Sequence, residues 1–198
     1  MLLHDTAHLG HAHAARVSDE LARWLVMVVA MMLPLQMDQA SMVALRGFRA
    51  RRGRAVAGFV VGYLLPWVIL GLPVAWLTAL PWSREPVLGL LAFGVAAAWV
   101  PTRMRAHALA ACHRRPAPAP SGWRAHRDCI VFGAGIGVGC VGSCWALMLA
   151  CALSGHRLPI MLGGAAVALA ERRFFEPPTR LVGIATVALA ASYGVWIR

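Results

Sequence analysis

Residues 129–153 read CIVFGAGIGVGCVGSCWALMLACAL, running from Cys129 to Leu153 without a charged side chain. A helix needs about 20 mostly apolar residues to cross the hydrocarbon of a bilayer, and this run exceeds that length. Gly133, Gly135, Gly137 and Gly139 give it two interleaved small-xxx-small pairs. Such spacing lets helix backbones approach closely where lipid supplies no hydrophobic drive between helices. Gly133-Ala134-Gly135-Ile136-Gly137 has the look of a nucleotide loop, but its place inside an apolar span favours a packing role.

Five more apolar stretches flank this one: Trp24–Leu45, Val56–Leu80, Pro86–Met104, Leu158–Ala170 and Leu181–Ile197. The fifth in chain order, Leu158–Ala170, is short and closes on Glu171-Arg172-Arg173, so its inner end must snorkel or lie protected. Ser154-Gly155-His156-Arg157 joins the fourth and fifth as a tight antiparallel hairpin, and Gly58 with Gly62 adds another small-xxx-small pair. Hydrophobic residues make up 60% of the 198 and charged residues 14%, which is more apolar surface than a water-soluble domain of this size can hide. The expected fold is therefore all-α: a polytopic transmembrane bundle of about six spans, multi-pass in an inner (plasma) membrane.

Charge placement supplies the orientation. All nineteen basic residues are Arg, and the net charge is +11. Nucleic acid is not the expected partner, because the arginines cluster between apolar segments as the positive-inside rule requires. The first connection holds Arg46, Arg49, Arg51, Arg52 and Arg54, and the third holds Arg103, Arg105, Arg114, Arg115, Arg124 and Arg127. Arg172, Arg173 and Arg180 join them from the fifth, whereas the second has Arg84 beside Glu85 and the fourth has Arg157. Both termini are thus expected on the non-cytoplasmic side, with the proline-rich stretch Arg114–Ser121 a cytoplasmic linker. Residues 1–23 carry Asp5, Asp19, Glu20 and four histidines, unlike a cleavable signal peptide. They read as a polar, unordered His-rich leader before a single transmembrane domain, residues 24–198.

Chemistry concentrates in the central run. At about 100° per residue, Cys140, Cys144, Met148 and Cys151 fall on one helix stripe, with Cys129 near its cytoplasmic end. Thiols and thioethers are the soft ligands that suit Cu(I), although a free Cys is also a small hydrophobe at home in any core. In the first span Met27, Met31, Asp38 and Met42 share a face interrupted by Pro34. Asp38 is either functional or held by an arginine of the first connection, and the methionines alone would serve as core. Met31 and Cys144 fall at similar depth and are expected to meet if their helices are neighbours. His4, His8, His11 and His13 could collect metal in the leader; Cys112-His113 is a lone ligand pair on the cytoplasmic connection, and His156 lies in the outer turn.

Enzyme templates fit poorly, so no enzymatic activity is expected. Cys140 and Cys144 are spaced C-x3-C rather than C-x-x-C, and no HExxH, GxSxG or Walker sequence occurs. A reversible disulfide between them would be awkward, since helical Cα atoms four apart lie about 6 Å from each other with side chains nearly parallel.

Met27-Val28-Val29-Ala30-Met31-Met32-Leu33-Pro34 resembles the MxxAMMLP opening of a bacterial family of integral membrane proteins described as metal-binding and sometimes labelled copper chaperones. Gly139-Cys140-Val141-Gly142-Ser143-Cys144-Trp145-Ala146-Leu147-Met148 is similar to its GCxGCCWALM signature. Pro101-Thr102-Arg103, Cys112-His113-Arg114-Arg115-Pro116 and Glu171-Arg172 also look like family segments. Ser143 stands where the signature has a further Cys, and Gly155-His156-Arg157-Leu158 replaces a Gly-x-Met-Asn-like stretch. The resemblance covers most of the chain from Trp24 onward and implies a multi-span protein handling a metal such as copper, with Cys140, Cys144 and Met148 in the signature.

These readings converge on a membrane-embedded protein that binds Cu(I), or another soft or borderline transition metal, and acts in its handling, transfer or transport. The expected ligands are Cys140, Cys144, Met148, Cys151, Met27, Met31 and Asp38, with Cys112, His113 and His156 at the ends of the route. The expected partners are the lipid bilayer and a copper donor or acceptor protein. The alternative is a structural or assembly subunit of a larger membrane complex with no metal of its own.

Overall fold

The computed structural model describes residues 2–46, 51–113, 125–173 and 179–196, and all regular structure among them is helical. Among the described residues eight α-helices follow one another: α1 (Leu2–Met32), α2 (Met37–Arg46), α3 (Arg52–Thr78), α4 (Pro86–Trp99), α5 (Arg103–His113), α6 (Ala125–Leu153), α7 (Leu158–Arg173) and α8 (Thr179–Trp196). Of these, α3 and α6 are each long and apolar enough to cross a membrane. The bent pairs α1–α2 and α4–α5 bring the number of candidate spans to four, and α7 and α8 are shorter apolar helices. The linker 114–121 lies outside the described residues.

Proline sets both bends. Pro34 opens a single 3-10 turn, Pro34–Gln36, and the chain leaves it at 41° to α1. A proline inside a helix lacks the N–H that would continue the ladder, so the break falls where the sequence places it. Pro101 does the same after α4, and there the chain turns by 77°. Thr102 caps the new helix: its hydroxyl accepts from the Arg105 N–H at 3.2 Å and donates to the Trp99 carbonyl at 2.8 Å. The expected third span, Pro86–Met104, is therefore a 14-residue helix followed by a sharp turn. α1 runs as one helix from Leu2.

α6 is the hub of the bundle, packed against α3, α4, α5 and α7. Its contact with α3 is close enough to bring backbones together. A Cβ at Gly62 would strike the Ile130 carbonyl, and Cβ atoms at Gly133 and Gly137 would strike the carbonyls of Phe59 and Tyr63. Because Gly58 meets His126 while Gly137 meets Tyr63 and Pro66, the two helices run parallel. Their N-terminal ends, at Arg52 and Ala125, thus lie at the same end of the bundle.

The remaining helices close around this pair. Trp24 of α1 settles on Gly71 and donates its indole N–H to the Trp67 carbonyl at 3.0 Å. Tyr193 of α8 covers Gly89 and Phe93 of α4. The outward face of α3 shows Val61, Leu65, Ile69, Leu72 and Trp76, all exposed. A continuous apolar stripe of that kind suits lipid rather than water.

Candidate metal centre

The donor stripe of α6 is positioned by the contacts that bury it. Cys140, Met148 and Cys151 are buried and Cys144 is half-buried, and Cys129, Cys140, Cys144 and Cys151 are all thiols rather than disulfides. At 1.5 Å rise per residue the stripe from Cys140 to Cys151 extends about 16 Å along the helix. It is a line of donors rather than one cage: among the described residues no three His, Cys, Asp or Glu side chains converge.

Each donor has its own surroundings. Cys140 meets two polar groups carried in by the Pro34 break and by α3. The Gln36 amide, only 1% exposed, donates to Cys140 Sγ at 3.3 Å and lies 3.5 Å from the Tyr63 hydroxyl. Its Oε1 is buried and has no hydrogen-bond partner among the described residues. Four residues on, Cys144 lies 3.4 Å from the Ser143 hydroxyl and faces a small pocket between α4, α5, α6, α7 and α8. That pocket holds the buried ion pair between Arg105 and Glu171.

At the far end of the stripe, Cys151 and Met31 approach the same residue of α7. Both press on Gly164 of α7, where an added Cβ would lie 3.1 Å from Met31 Cε and 3.3 Å from Cys151 Sγ. The Met31 side chain thus lies beside the same glycine as Cys151, where depth along the spans had pointed to Cys144. Met27 is fully buried in the core, and Met42 packs against it.

The other expected ligands are placed apart from the stripe. Asp38 is exposed in the first turn of α2, where a carboxylate complements the helix dipole. His156 occupies the turn after α6, half-buried, with φ of 54°. Burial, and then the Arg23 guanidinium, hold its imidazole pKa below the ordinary 6.5. The side chains of His4, His8, His11, Cys112 and His113 lie outside the described residues.

Sequence reasoning passed over Gln36, Tyr63, Gly164 and the Arg105–Glu171 pair. Gln36 had a usable signal, an amide two residues after a proline inside an apolar run. Arg105 was counted among the loop charges, and the structure buries it instead. Its partner Glu171 closes a short apolar segment, which marked the position without naming the partner.

A family model, PpoB2, described as copper chaperone, matches residues 21–197. The chain belongs to this family. No curated protein and no solved structure matches it. Every donor of the α6 stripe lies within the part shared with the PpoB2 family, as do Met31, Gln36, Tyr63, Arg105 and Glu171. The histidines of the leader, at 4, 8, 11 and 13, precede it.

Proposed function

We propose that the chain is a copper carrier of the bacterial inner membrane, which binds Cu(I) along α6 and passes it to a partner without catalysing a reaction. The observation that carries this reading is the largely buried line of soft donors, Cys140, Cys144, Met148 and Cys151, with Met31 of α1 beside the same Gly164 as Cys151. Thiolate and thioether sulfur suit Cu(I) better than harder cations, and low coordination is enough for it. The family description points to the same cargo.

Six spans with both termini non-cytoplasmic accommodate the eight helices if α1–α2 and α4–α5 each serve as one bent span. The parallel run of α3 and α6 supports this arrangement, because it puts the N-terminal ends of two helices that each follow an Arg-rich stretch of sequence at one end. In this orientation the histidine leader and His156 lie on the outer side, where metal is gathered. Cargo then moves past Cys151 and Met31 to Cys144 and Cys140, and Cys112-His113 offers it to an acceptor on the cytoplasmic side.

Anaerobic Cu(I) titration of the detergent-purified chain against a competing chromogenic chelator tests the reading. Tight stoichiometric binding that is lost in the Cys140→Ser/Cys144→Ser double variant is the expected result. If the wild type fails to compete, the cysteines serve core packing and the chain is an assembly subunit of a larger membrane complex.

A further inference from the structure

The pocket beside Cys144 contains more charge than helix packing requires. Arg105 is 6% exposed and Glu171 5% exposed, and the lining around them is largely apolar, with Trp99, Leu147 and Val167 among its residues. Buried charges in such surroundings are costly and persist only with a counter-charge. Inside a membrane bundle they mark functional positions more often than structural ones.

The two partners are held differently. Arg105 has further acceptors besides Glu171: its Nε donates to the Ser143 carbonyl at 3.3 Å and its Nη1 to the Val100 carbonyl at 3.4 Å. A guanidinium cannot discharge itself by losing a proton. Glu171 reaches the pair from a different helix, α7, and takes its hydrogen bond from Arg105 Nη2. A cation entering the pocket can therefore draw Glu171 away while Arg105 keeps its two carbonyl acceptors. The soft residue in the lining of the same pocket is Cys144.

We propose that this pocket is a site for a soft monovalent cation, with Cys144 the donor, Glu171 the counter-charge and Arg105 a tethered cation that competes with the cargo. The inference rests on the copper reading and adds to it a built-in competitor, which keeps cargo from being held too tightly to move on.

The test is anaerobic titration of the full detergent-purified chain with Cu(I) alone against a competing chelator. Arg105→Gln removes the competitor, and Cu(I) is expected to bind about tenfold tighter, in line with one unit charge at short range. That gain is expected to vanish in Arg105→Gln/Cys144→Ser. Glu171→Gln is expected to weaken binding about tenfold, and it carries the test if Arg105→Gln does not fold. Unchanged affinity in either folded single variant overturns the site and leaves the ion pair a tether between α5 and α7. A gain that survives Cys144→Ser also overturns it, as an effect of overall charge. Failure of the wild type to bind Cu(I) overturns the copper reading and the inference together.

Discussion

His156 occupies a turn that its own backbone makes demanding. Gly155 and His156 both have positive φ, and their amides return to the Ala152 and Cys151 carbonyls in a Schellman closure of α6. The ring is half-buried, and its Nε2 lacks a hydrogen-bond partner among the described residues. Because burial and Arg23 lower its pKa below 6.5, the folded chain resists a proton that the unfolded chain accepts. The stabilising difference is thus present above the unfolded value and is lost as pH falls through the folded one. The thermal unfolding midpoint in detergent is expected to drop between about pH 7.5 and about pH 5.5. His156→Asn should flatten that slope, since Asn tolerates the left-handed backbone without titrating. An equal slope in both chains would remove His156 as the cause. At this scale the sequence was legible by residue type and poor on partners. Asp38 drew attention as a charge in a span, yet it is exposed, while Gln36 two residues earlier reaches Cys140. Hydropathy ranks the acid above the amide, and only the geometry of the Pro34 turn decides which of them faces inward.

Among the elements, the α3–α6 contact depends most directly on single atoms. Gly62, Gly133 and Gly137 let carbonyl groups of the facing helix occupy the space where a side chain would begin. Gly133→Ala puts a methyl into the Phe59 carbonyl and the backbone behind it, which flexible side chains cannot relieve. The expected loss is near the upper end of the about 1–3 kcal/mol typical of overpacking. Gly94→Ala on α4 is the internal control: nothing lies within 4 Å of the added methyl, and removing a helical glycine is expected to gain up to about 1 kcal/mol. Unfolding midpoints of the two variants in the same detergent compare them directly, and similar losses in both would show that Gly133 is not a close-packing position. The small-xxx-small spacing made these glycines legible as interface residues. It named no partner, because spacing on one helix carries no information about which helix approaches. The same limit explains the third span: the run Pro86–Met104 is apolar throughout its centre, and Pro101 turns it by 77°. Composition averages over a window and so passes over a single residue that redirects the chain.

For the whole molecule, the strongest constraint is the separation of charge from apolar surface. The N-terminal ends of the parallel helices α3 and α6 share one end of the bundle, and in sequence the arginines of 46–54 and 114–127 precede or open them while Arg84 and Arg157 follow their C-terminal ends. Keeping the two basic segments on the cytoplasmic side satisfies the positive-inside bias, and inverting the bundle would violate it. Single cysteines at positions 53, 82 and 158 can report this, as Gly53, Trp82 and Leu158 are all exposed. In intact cells with a permeabilised outer membrane, an impermeant maleimide is expected to label Trp82→Cys and Leu158→Cys above the background of the parent chain. Gly53→Cys should react only after the inner membrane is broken. The opposite pattern would place the histidine leader inside and reverse the route proposed for copper, so that Cys112-His113 would receive cargo from outside. Labelling of all three in intact cells would mean that α3 does not cross. The two ends of α3 would then share one side, and the bundle would need a different account of its exposed apolar stripe from Val61 to Trp76.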